Sequence, residues 1–388
     1  MATRTLDNAN EHDHFSLLGG PLHRLGRRIG LVRGRTNTVA LGLALGPGAA
    51  AILVLLAFVG GVAENVFSWS VIGAHVRLLL VIPLFFVCES VLDTRVGAFV
   101  RVIVHSKLVP DAEVPRLNAE IKRIAWWRDS WLPEALCLLL AALMSLDSPR
   151  LSLPGTTLTF DPNHTAAPAM WYWIVCLPLF RFLAFRWFLR LVLWWYFLWR
   201  VARLQLNLVP THPDGVAGLG YLEVVHAEFG TLVFAISAAV SATFAESILA
   251  GTLRLDAVYA AIVLILIVDA ALFLGPMCIF TPKLWRCRIT GLETYMELGS
   301  RYVIAFDRKW LGKGAAHRED LLGTSDLQSL ADLTNSLNVV TKMRLVPATY
   351  RLALILAAAA LVPMLPLLLL QYPIAELAGK LFKLVLSF

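Results

Sequence analysis

The sequence predicts an all-α, polytopic membrane helix bundle of about seven transmembrane helices, and three observations lead to that prediction. Of the 388 residues, 58% are hydrophobic and 16% are charged, whereas soluble domains average about 45–50% and about 25%. Seven apolar runs approach the roughly 20 residues that a spanning helix needs. The segments between these runs are alternately rich and poor in lysine and arginine. This composition excludes a soluble enzyme, a disordered chain and a disulfide-stapled domain.

The seven apolar runs are predicted to be the membrane helices. The fourth run is the longest, and Trp171 and Trp195 near its ends would lie about 36 Å apart on one helix. Tryptophan and tyrosine favour the two faces of a bilayer, so this run is predicted to be one helix rather than two. The runs cover residues 40–62, 76–92, 132–147, 169–199, 228–249, 257–280 and 350–371.

The distribution of basic residues predicts the orientation of the helices. Residues 1–39, 93–131, 200–227 and 281–351 carry 26 of the 34 lysines and arginines. Cytoplasmic segments of membrane proteins are rich in these residues, so we expect the N-terminus inside and the C-terminus outside. The net charge of +7 then follows from topology, and no nucleic-acid partner is expected.

The chain is predicted to have four parts. The first apolar run has no credible cleavage site, so it should stay as a membrane helix. The five cysteines are odd in number and form no C-x-x-C pair, which favours free thiols. The four parts are a cytoplasmic N-terminal segment (1–39), a six-helix membrane region (40–280) with cytoplasmic loops 93–131 and 200–227, a cytoplasmic helical hairpin (281–349), and a last membrane helix with an amphipathic tail (350–388).

Two cytoplasmic segments have the pattern of amphipathic helices. In residues 111–129 apolar side chains recur at spacings of three, four and three, and Asp111 is the expected N-cap. The second helix of the hairpin is expected to open at Ser325, which begins a capping-box pattern, after a turn over 312–324. The two apolar stripes are Val114, Leu117, Ile121 and Ile124, and Leu330, Leu333, Leu337 and Val340.

Distinctive motifs lie in the second half of the chain. One is Pro210-Thr-His-Pro-Asp214-Gly followed by Gly218-Leu-Gly-Tyr-Leu222, and another is Asp326-Leu-Gln-Ser-Leu-Ala-Asp-Leu333. From about residue 205 onward, the chain resembles a group of uncharacterised bacterial multi-pass inner-membrane proteins. The resemblance implies a bacterial inner-membrane setting and no established activity, so no functional residue is carried over from it.

Three charged residues lie deep inside predicted spans: Glu89, Arg181 and Asp269. Each is twelve or thirteen residues from the outer end of its helix, which places all three in one layer about 18–20 Å down. A charged residue at mid-helix costs roughly 2.5–3.5 kcal/mol. An arginine and two carboxylates at one depth would neutralise each other, so we expect these three side chains to meet.

A proline interrupts each of the same three helices and leaves backbone carbonyls free. Interrupted helices that carry charge at mid-membrane are typical of a transport site. The alternative is a structural ion pair that fixes helix packing, with the prolines tolerated as kinks. Two further arginines of the fourth run are expected to lie nearer the membrane surface: Arg186 and Arg190 should extend toward the cytoplasm. The three prolines are Pro83, Pro178 and Pro276.

The loop after the fourth helix holds five polar candidates: Thr211, His212, Asp214, Glu223 and His226. Pro-Asp-Gly is a turn signal, and Glu223 and His226 are spaced to share one face of a helix. A single zinc ion held by His212, Asp214 and His226 is one interpretation. The favoured alternative is a capped turn at a water interface, so neither a bound metal nor a cofactor is expected.

Three functional hypotheses remain open at this point. The first is a channel or transporter for an ion or small polar solute, lined by Glu89, Arg181 and Asp269. The second is a non-transporting membrane scaffold or sensor that binds a protein partner through residues 281–347, and association with a second copy of the chain is a separate open alternative. The third is a membrane enzyme with a metal near His212 and Asp214, which is less favoured because no hydrolase, zinc-protease or phosphate-loop motif occurs.

Overall fold

A computed structural model describes residues 15–32, 37–151, 166–253, 255–311 and 324–369. Within these ranges the chain is almost entirely helical and contains no β-strand, which confirms the all-α class. The predicted amphipathic tail after residue 371 and most of the predicted hairpin turn lie outside the described residues.

The helices are numbered in chain order, and consecutive helical segments without a break share one number. Shorter helices at Ala63–Val66 and Leu365–Leu369, and 3₁₀ turns at Trp69–Val71 and Val362–Met364, lie beside the longer ones. The main helices are α1 Gly20–Arg28, α2 Val39–Val59, α3 Ile72–His105, α4 Val114–Asp129, α5 Trp131–Leu151, α6 with Ala166–Trp171 and Leu177–Arg203, α7 Tyr221–Leu249, α8 Leu255–Asp269, α9 Thr281–Trp310, α10 Ser325–Thr341 and α11 Tyr350–Leu361.

Five helical stretches are long and apolar enough to cross a membrane: α2, α3, α7, α8 together with α9, and α11. The pair α4 and α5, bent by 43° at Ser130, makes a sixth if it is one span. Helix α6 lies where the fourth span was predicted, but its middle carries Arg181, Arg186 and Arg190. Every predicted run therefore coincides with a described helix, while five or six helices have the length and composition of a span.

The core of the bundle is built around α3. Phe85 and Phe86 of this helix are each 1% exposed. Gly42 and Gly46 of α2, four residues apart, allow that helix to approach α3 closely. A Cβ atom on Gly46 would lie 2.3 Å from the carbonyl oxygen of Leu78, so a larger residue would push the two helices apart. Such spacing of small residues is typical of close helix packing in membranes.

Each of the three predicted interruptions consists of a π-helical segment followed by a proline. A proline lacks an N–H group, and its ring clashes with the carbonyl four residues earlier; the wider π turn makes room for that ring. Helices α3 and α6 continue beyond the proline, whereas α8 passes through a 3₁₀ segment, Gly275–Phe280, into α9. The π segments are Val76–Val81, Tyr172–Cys176 and Ala270–Leu274, ahead of Pro83, Pro178 and Pro276.

The first amphipathic helix is confirmed, but its predicted cap is wrong. In α4 the predicted apolar stripe faces inward, with Leu117 and Ile124 fully buried. The N-cap position belongs to Glu113, while the Asp111 carboxylate pairs with the Lys107 ammonium at 2.6 Å. Pro115 stands in the first turn of the helix, where its missing N–H leaves no hydrogen bond unmade, and this sets the start of the helix.

The second hairpin helix, α10, begins at Ser325 as predicted. Thr324, not Ser325, occupies the N-cap position, and no side-chain cap bond forms there. At the end of the hairpin where the chain passes from α9 to α10, the Asp326 carboxylate accepts hydrogen bonds from Lys309 Nζ at 2.8 Å and from Trp310 Nε1 at 3.1 Å. These bonds connect the end of α9 to the start of α10.

Candidate functional site

A cluster of four buried charged side chains lies inside the helix bundle. Glu89 of α3 pairs with two arginines of α6: Arg186, whose Nη1 lies 2.5 Å from Glu89 Oε1, and Arg190. Arg186 Nε also contacts Glu134 Oε1 of α5 at 3.0 Å. All four side chains are more than nine-tenths buried. We name Glu89, Glu134, Arg186 and Arg190 the inner ionic cluster.

Residues 16–22, which run into the first turn of α1, cover the inner ionic cluster. Arg186 Nη2 donates to the carbonyl of Gly19 at 3.2 Å, and the backbone N–H of Leu22 donates to Glu134 Oε2 at 3.0 Å. Asp93, one turn after Glu89 on α3, accepts bonds on Oδ1 from Ser16 Oγ at 2.7 Å and from the N–H of Leu17 at 2.7 Å. Arg128 Nη1 of α4 also donates to the carbonyl of Ser16 at 2.6 Å, so side chains of four helices hold the segment.

A small cavity remains between this N-terminal segment and the cluster. Its volume is about 10 Å³, close to the smallest space that holds one water molecule. Glu89 Oε2 and Arg190 Nη2 are buried, and neither has a hydrogen-bond partner among the described residues. Both residues line the cavity, so charged side chains form part of the wall of a space that is large enough for about one water molecule.

The predicted meeting of Glu89, Arg181 and Asp269 does not occur. Among the described residues, no ion pair joins any two of the three. Arg181 Nη1 instead donates to Ser145 Oγ of α5 at 3.0 Å, and Asp269 is half-buried at the end of α8. The expectation that Arg186 and Arg190 extend toward the cytoplasm is wrong, because both are buried against Glu89.

A second buried ionic group was missed by the sequence analysis. Arg77 of α3, 4% exposed, donates to Tyr172 Oη at 2.7 Å and to Thr243 Oγ1 at 2.8 Å. Glu246 of α7 lies 4.0 Å from Arg77 and accepts the N–H of Gly73 at 2.7 Å. Both charges lie inside predicted spans, near the helix ends, so a search limited to the deepest charges passed over them.

The Pro-Asp-Gly loop is a capped turn, as the favoured alternative predicted. The Asp214 carboxylate accepts backbone hydrogen bonds from Val216 at 2.9 Å, Gly218 at 3.0 Å and Gly220 at 2.8 Å. Burial of this carboxylate opposes its ionisation, but these N–H donors, together with His212, outweigh that effect and hold the pKa of Asp214 below its ordinary value. The residue therefore organises the turn as an anion.

The other loop candidates are bound to different parts of the protein. His226 is fully buried: its Nδ1 donates to the carbonyl of Phe273 at 2.6 Å, and its Nε2 accepts from Trp194 at 3.2 Å. Thr211 Oγ1 lies 3.5 Å from Tyr295 Oη of α9. Because both ring nitrogens of His226 are engaged elsewhere, the predicted zinc site with His212 and Asp214 is not assembled.

The segment between α10 and α11 contacts this loop. Arg344 donates from Nη2 to the carbonyl of Asp214 at 2.9 Å and lies 3.5 Å from Glu223 Oε2. Its backbone N–H donates to the carbonyl of Gly215 at 2.8 Å. Thr349 also donates to Glu223. The residues before α11 are thereby joined to the start of α7.

The backbone carbonyls at the break after α8 have protein partners. The carbonyl of Leu272, four residues before Pro276, accepts a hydrogen bond from Trp195 Nε1 at 3.0 Å. The next carbonyl, that of Phe273, accepts the bond from His226. These oxygens are therefore not free ligands for a passing ion.

No protein-family model, curated protein or solved structure matches the chain. The resemblance to uncharacterised bacterial membrane proteins remains a prediction, and the function is argued from the residues themselves.

Glu89→Gln should destabilise the protein far more than Arg181→Gln. Loss of the Glu89 charge leaves two buried arginines without their shared carboxylate, which costs about 3–5 kcal/mol. Loss of Arg181 removes one hydrogen bond to Ser145, which is worth about 1 kcal/mol. The measurement is the free energy of unfolding of each purified variant in detergent. Equal losses would contradict the pairing described here.

The turn around Asp214 should loosen in acid. A carboxylate whose folded pKa is depressed contributes stability above its unfolded pKa of about 3.9, and this stability is lost as the pH falls through the lower, folded value. Hydrogen exchange at the amides of Val216, Gly218 and Gly220, corrected for intrinsic rates, should accelerate below about pH 4. The Asp214→Asn variant should lack this step, and an identical step in both proteins would refute the assignment.

Proposed function

We propose that the protein crosses a bacterial inner membrane seven times, with its N-terminus in the cytoplasm, and binds a protein partner there through the α9–α10 hairpin. The coincidence of all seven apolar runs with described helices supports seven spans. For α6, the pairing of Arg186 and Arg190 with Glu89 and Glu134 in the interior supports a membrane position, because those arginines do not face lipid.

The interior of the bundle favours a scaffold over a pathway. The predicted transport residues are held apart, the carbonyls at the α8 break are already bonded, and the cavity against Glu89 has room for about one water molecule. A solute path would need a larger polar cavity between the helices. The open, solvent-facing surface of the hairpin is a better candidate for the working part of the molecule.

The observation that carries the proposal is an apolar groove between the two hairpin helices. Its volume is about 580 Å³. Met296 and Ile304 of α9 line it and are 55% and 59% exposed. The leucine stripe predicted from the sequence forms the opposite wall, since Leu330, Leu333 and Leu337 of α10 line the groove and are only half-buried.

The groove fits the apolar face of a basic amphipathic helix from a partner protein. Gly299 and Ser300 lie between the apolar residues of α9, and small residues let a third helix come close. Residues 292–311 and 324–341, which form the described part of the hairpin beyond the first turns of α9, have five acidic and three basic residues, although the whole chain has a net charge of +7. Recognition of such a helix by an apolar groove is a common mode of peptide binding.

Val303 of α9 lines the groove and is 43% exposed, and a photo-crosslinking amino acid at this position, in native membranes, tests the proposal. We expect an adduct with another protein, mapped by mass spectrometry to a basic amphipathic helix. The same group at Leu298, which is equally exposed but outside the groove, is the matched control. Leu333→Asp should abolish the adduct by placing a charge in the groove, whereas Asn335→Asp, which adds the same charge at an exposed position outside it, should not.

Two results would refute the docking proposal. One is the absence of a Val303 adduct, and the other is an adduct with a second copy of this chain. Because Leu333→Asp could disturb the hairpin, Ile304→Asp is tested beside it. Ile304 is 59% exposed, so its replacement leaves the packing of the two helices intact while it still places a charge in the groove.

A second candidate function, passage of an ion or small polar solute, has one observation in its favour. Asp269 has no ion-pair partner in the described part of the chain, and it directly precedes the π segment Ala270–Leu274. An unpaired carboxylate in a membrane helix is a default candidate for function.

Flux measurements on purified protein in liposomes test this candidate. Flux of protons, sodium or potassium above that of empty liposomes, lost in Asp269→Asn and kept in the surface variant Glu293→Gln, would support it. Absence of flux from the unaltered protein, with unchanged stability in Asp269→Asn, would exclude it.

A further inference from the structure

A basic cavity lies where the end of α6 meets the first turns of α4. Its volume is about 360 Å³. Three of its lining residues are arginines and one is a glutamate, so its walls carry a positive excess. The lining residues are Arg116, Ala119, Glu120, Arg200, Arg203 and Leu204.

The single carboxylate in the cavity is already neutralised. Glu120 contacts Arg200 and, at 3.3 Å, Arg123, which lies outside the cavity. Arg116 pairs with Glu113 at 3.0 Å but remains 73% exposed. For Arg203, no carboxylate partner is present in the described ranges. The Arg203 side chain is thus the unneutralised cation of the cavity.

The neighbourhood of Arg203 has the character of a membrane interface. Its guanidinium carbon lies 3.7 Å from the centre of the Trp199 ring, and Trp199 belongs to the aromatic cluster at one end of α6. Tryptophan is enriched where hydrocarbon meets lipid headgroups. A second cavity of about 420 Å³, which includes Lys283 and Arg286, lies beside the segment that follows Leu204. Positive charge therefore continues along this edge of the bundle.

We propose that this cavity binds the phosphate group of an anionic phospholipid. The planar guanidinium group forms paired hydrogen bonds with phosphate oxygens, and basic pockets between membrane helices on the cytoplasmic side bind acidic lipid headgroups. A lipid is favoured over free phosphate because Ala119 and Leu204 give the cavity an apolar side where the first part of an acyl chain can lie. This inference rests on the proposed function in one respect: the orientation of the chain given there decides in which leaflet the lipid lies.

Binding of defined lipids to the purified full-length protein tests this inference. The probes are phosphatidylglycerol, phosphatidylcholine and inorganic phosphate, each added to the protein in neutral detergent and measured by native mass spectrometry. We expect phosphatidylglycerol to bind in preference to phosphatidylcholine. Arg203→Gln and Arg116→Gln should each weaken phosphatidylglycerol binding roughly fivefold, whereas Arg308→Gln, at an exposed position on the hairpin, should leave it unchanged.

Three outcomes would overturn the proposal: equal binding of the two lipids, an equal loss in Arg308→Gln, or displacement of phosphatidylglycerol by equimolar inorganic phosphate. Thermal unfolding without added lipid shows whether each variant is folded. Arg203 and Arg116 are both exposed, so two independent variants keep the test decisive. The hairpin groove is distant in sequence from this cavity, and failure of the docking proposal leaves the lipid result unaffected.

Discussion

The position of Glu89 between Arg186 and Arg190 is the constraint on which the rest of the bundle depends. Moving one ion from water into a low-dielectric interior costs several kcal/mol, so none of these charges can be buried without its partners. Arg186 and Arg190 are four residues apart and lie on one face of α6. That face must therefore turn toward α3, and Glu134 fixes α5 against the same two helices.

The same constraint makes the N-terminal segment a part of the bundle. Two arginines and two glutamates have more donors and acceptors than they can satisfy among themselves. The carbonyl of Gly19 and the N–H of Leu22 supply part of the remainder, and Asp93 holds the preceding residues from α3. The segment separates the cluster from bulk water, and the lower dielectric strengthens the ionic contacts beneath it.

The helices could be predicted from the sequence because their signals are local. Apolar length, the 3-4-3 stripe of α4 and the leucine stripe of α10 each depend on consecutive residues, and each appears in the structure. The choice of ionic partners could not be predicted, because it depends on how far each helix rotates and shifts against its neighbours. Arg181 and Arg186 differ by five residues, about 7.5 Å along a helix, which a depth estimate with uncertain helix ends does not resolve.

The interrupted helices show why a backbone carbonyl without its helical hydrogen bond is a weak sign of transport. A proline in a membrane helix does leave a carbonyl without its helical hydrogen bond, as the sequence indicated. A side chain of a neighbouring helix can donate a hydrogen bond to that carbonyl as readily as an ion can bind it. Here Trp195 and His226 do so. The sequence did not indicate these two hydrogen bonds, because Trp195 has the position of an interfacial aromatic residue and His226 lies beside the polar loop. The partner of a freed carbonyl lies on another helix, and only the packed structure identifies it.

The two surfaces with room for a ligand or partner, the cavity beside Arg203 and the hairpin groove, lie outside the core of the bundle, and they differ in charge. The cavity beside Arg203 is basic, whereas residues 292–311 and 324–341 of the hairpin have five acidic and three basic residues. In the proposed orientation both face an anionic leaflet, which attracts nearby lysines and arginines and repels carboxylates within about a Debye length of 8 Å. The ends of α4 and α6 are then drawn to the headgroups, while the hairpin is held off them. Repulsion of this kind keeps an exposed apolar groove from burying itself in the bilayer and leaves it accessible to a protein partner.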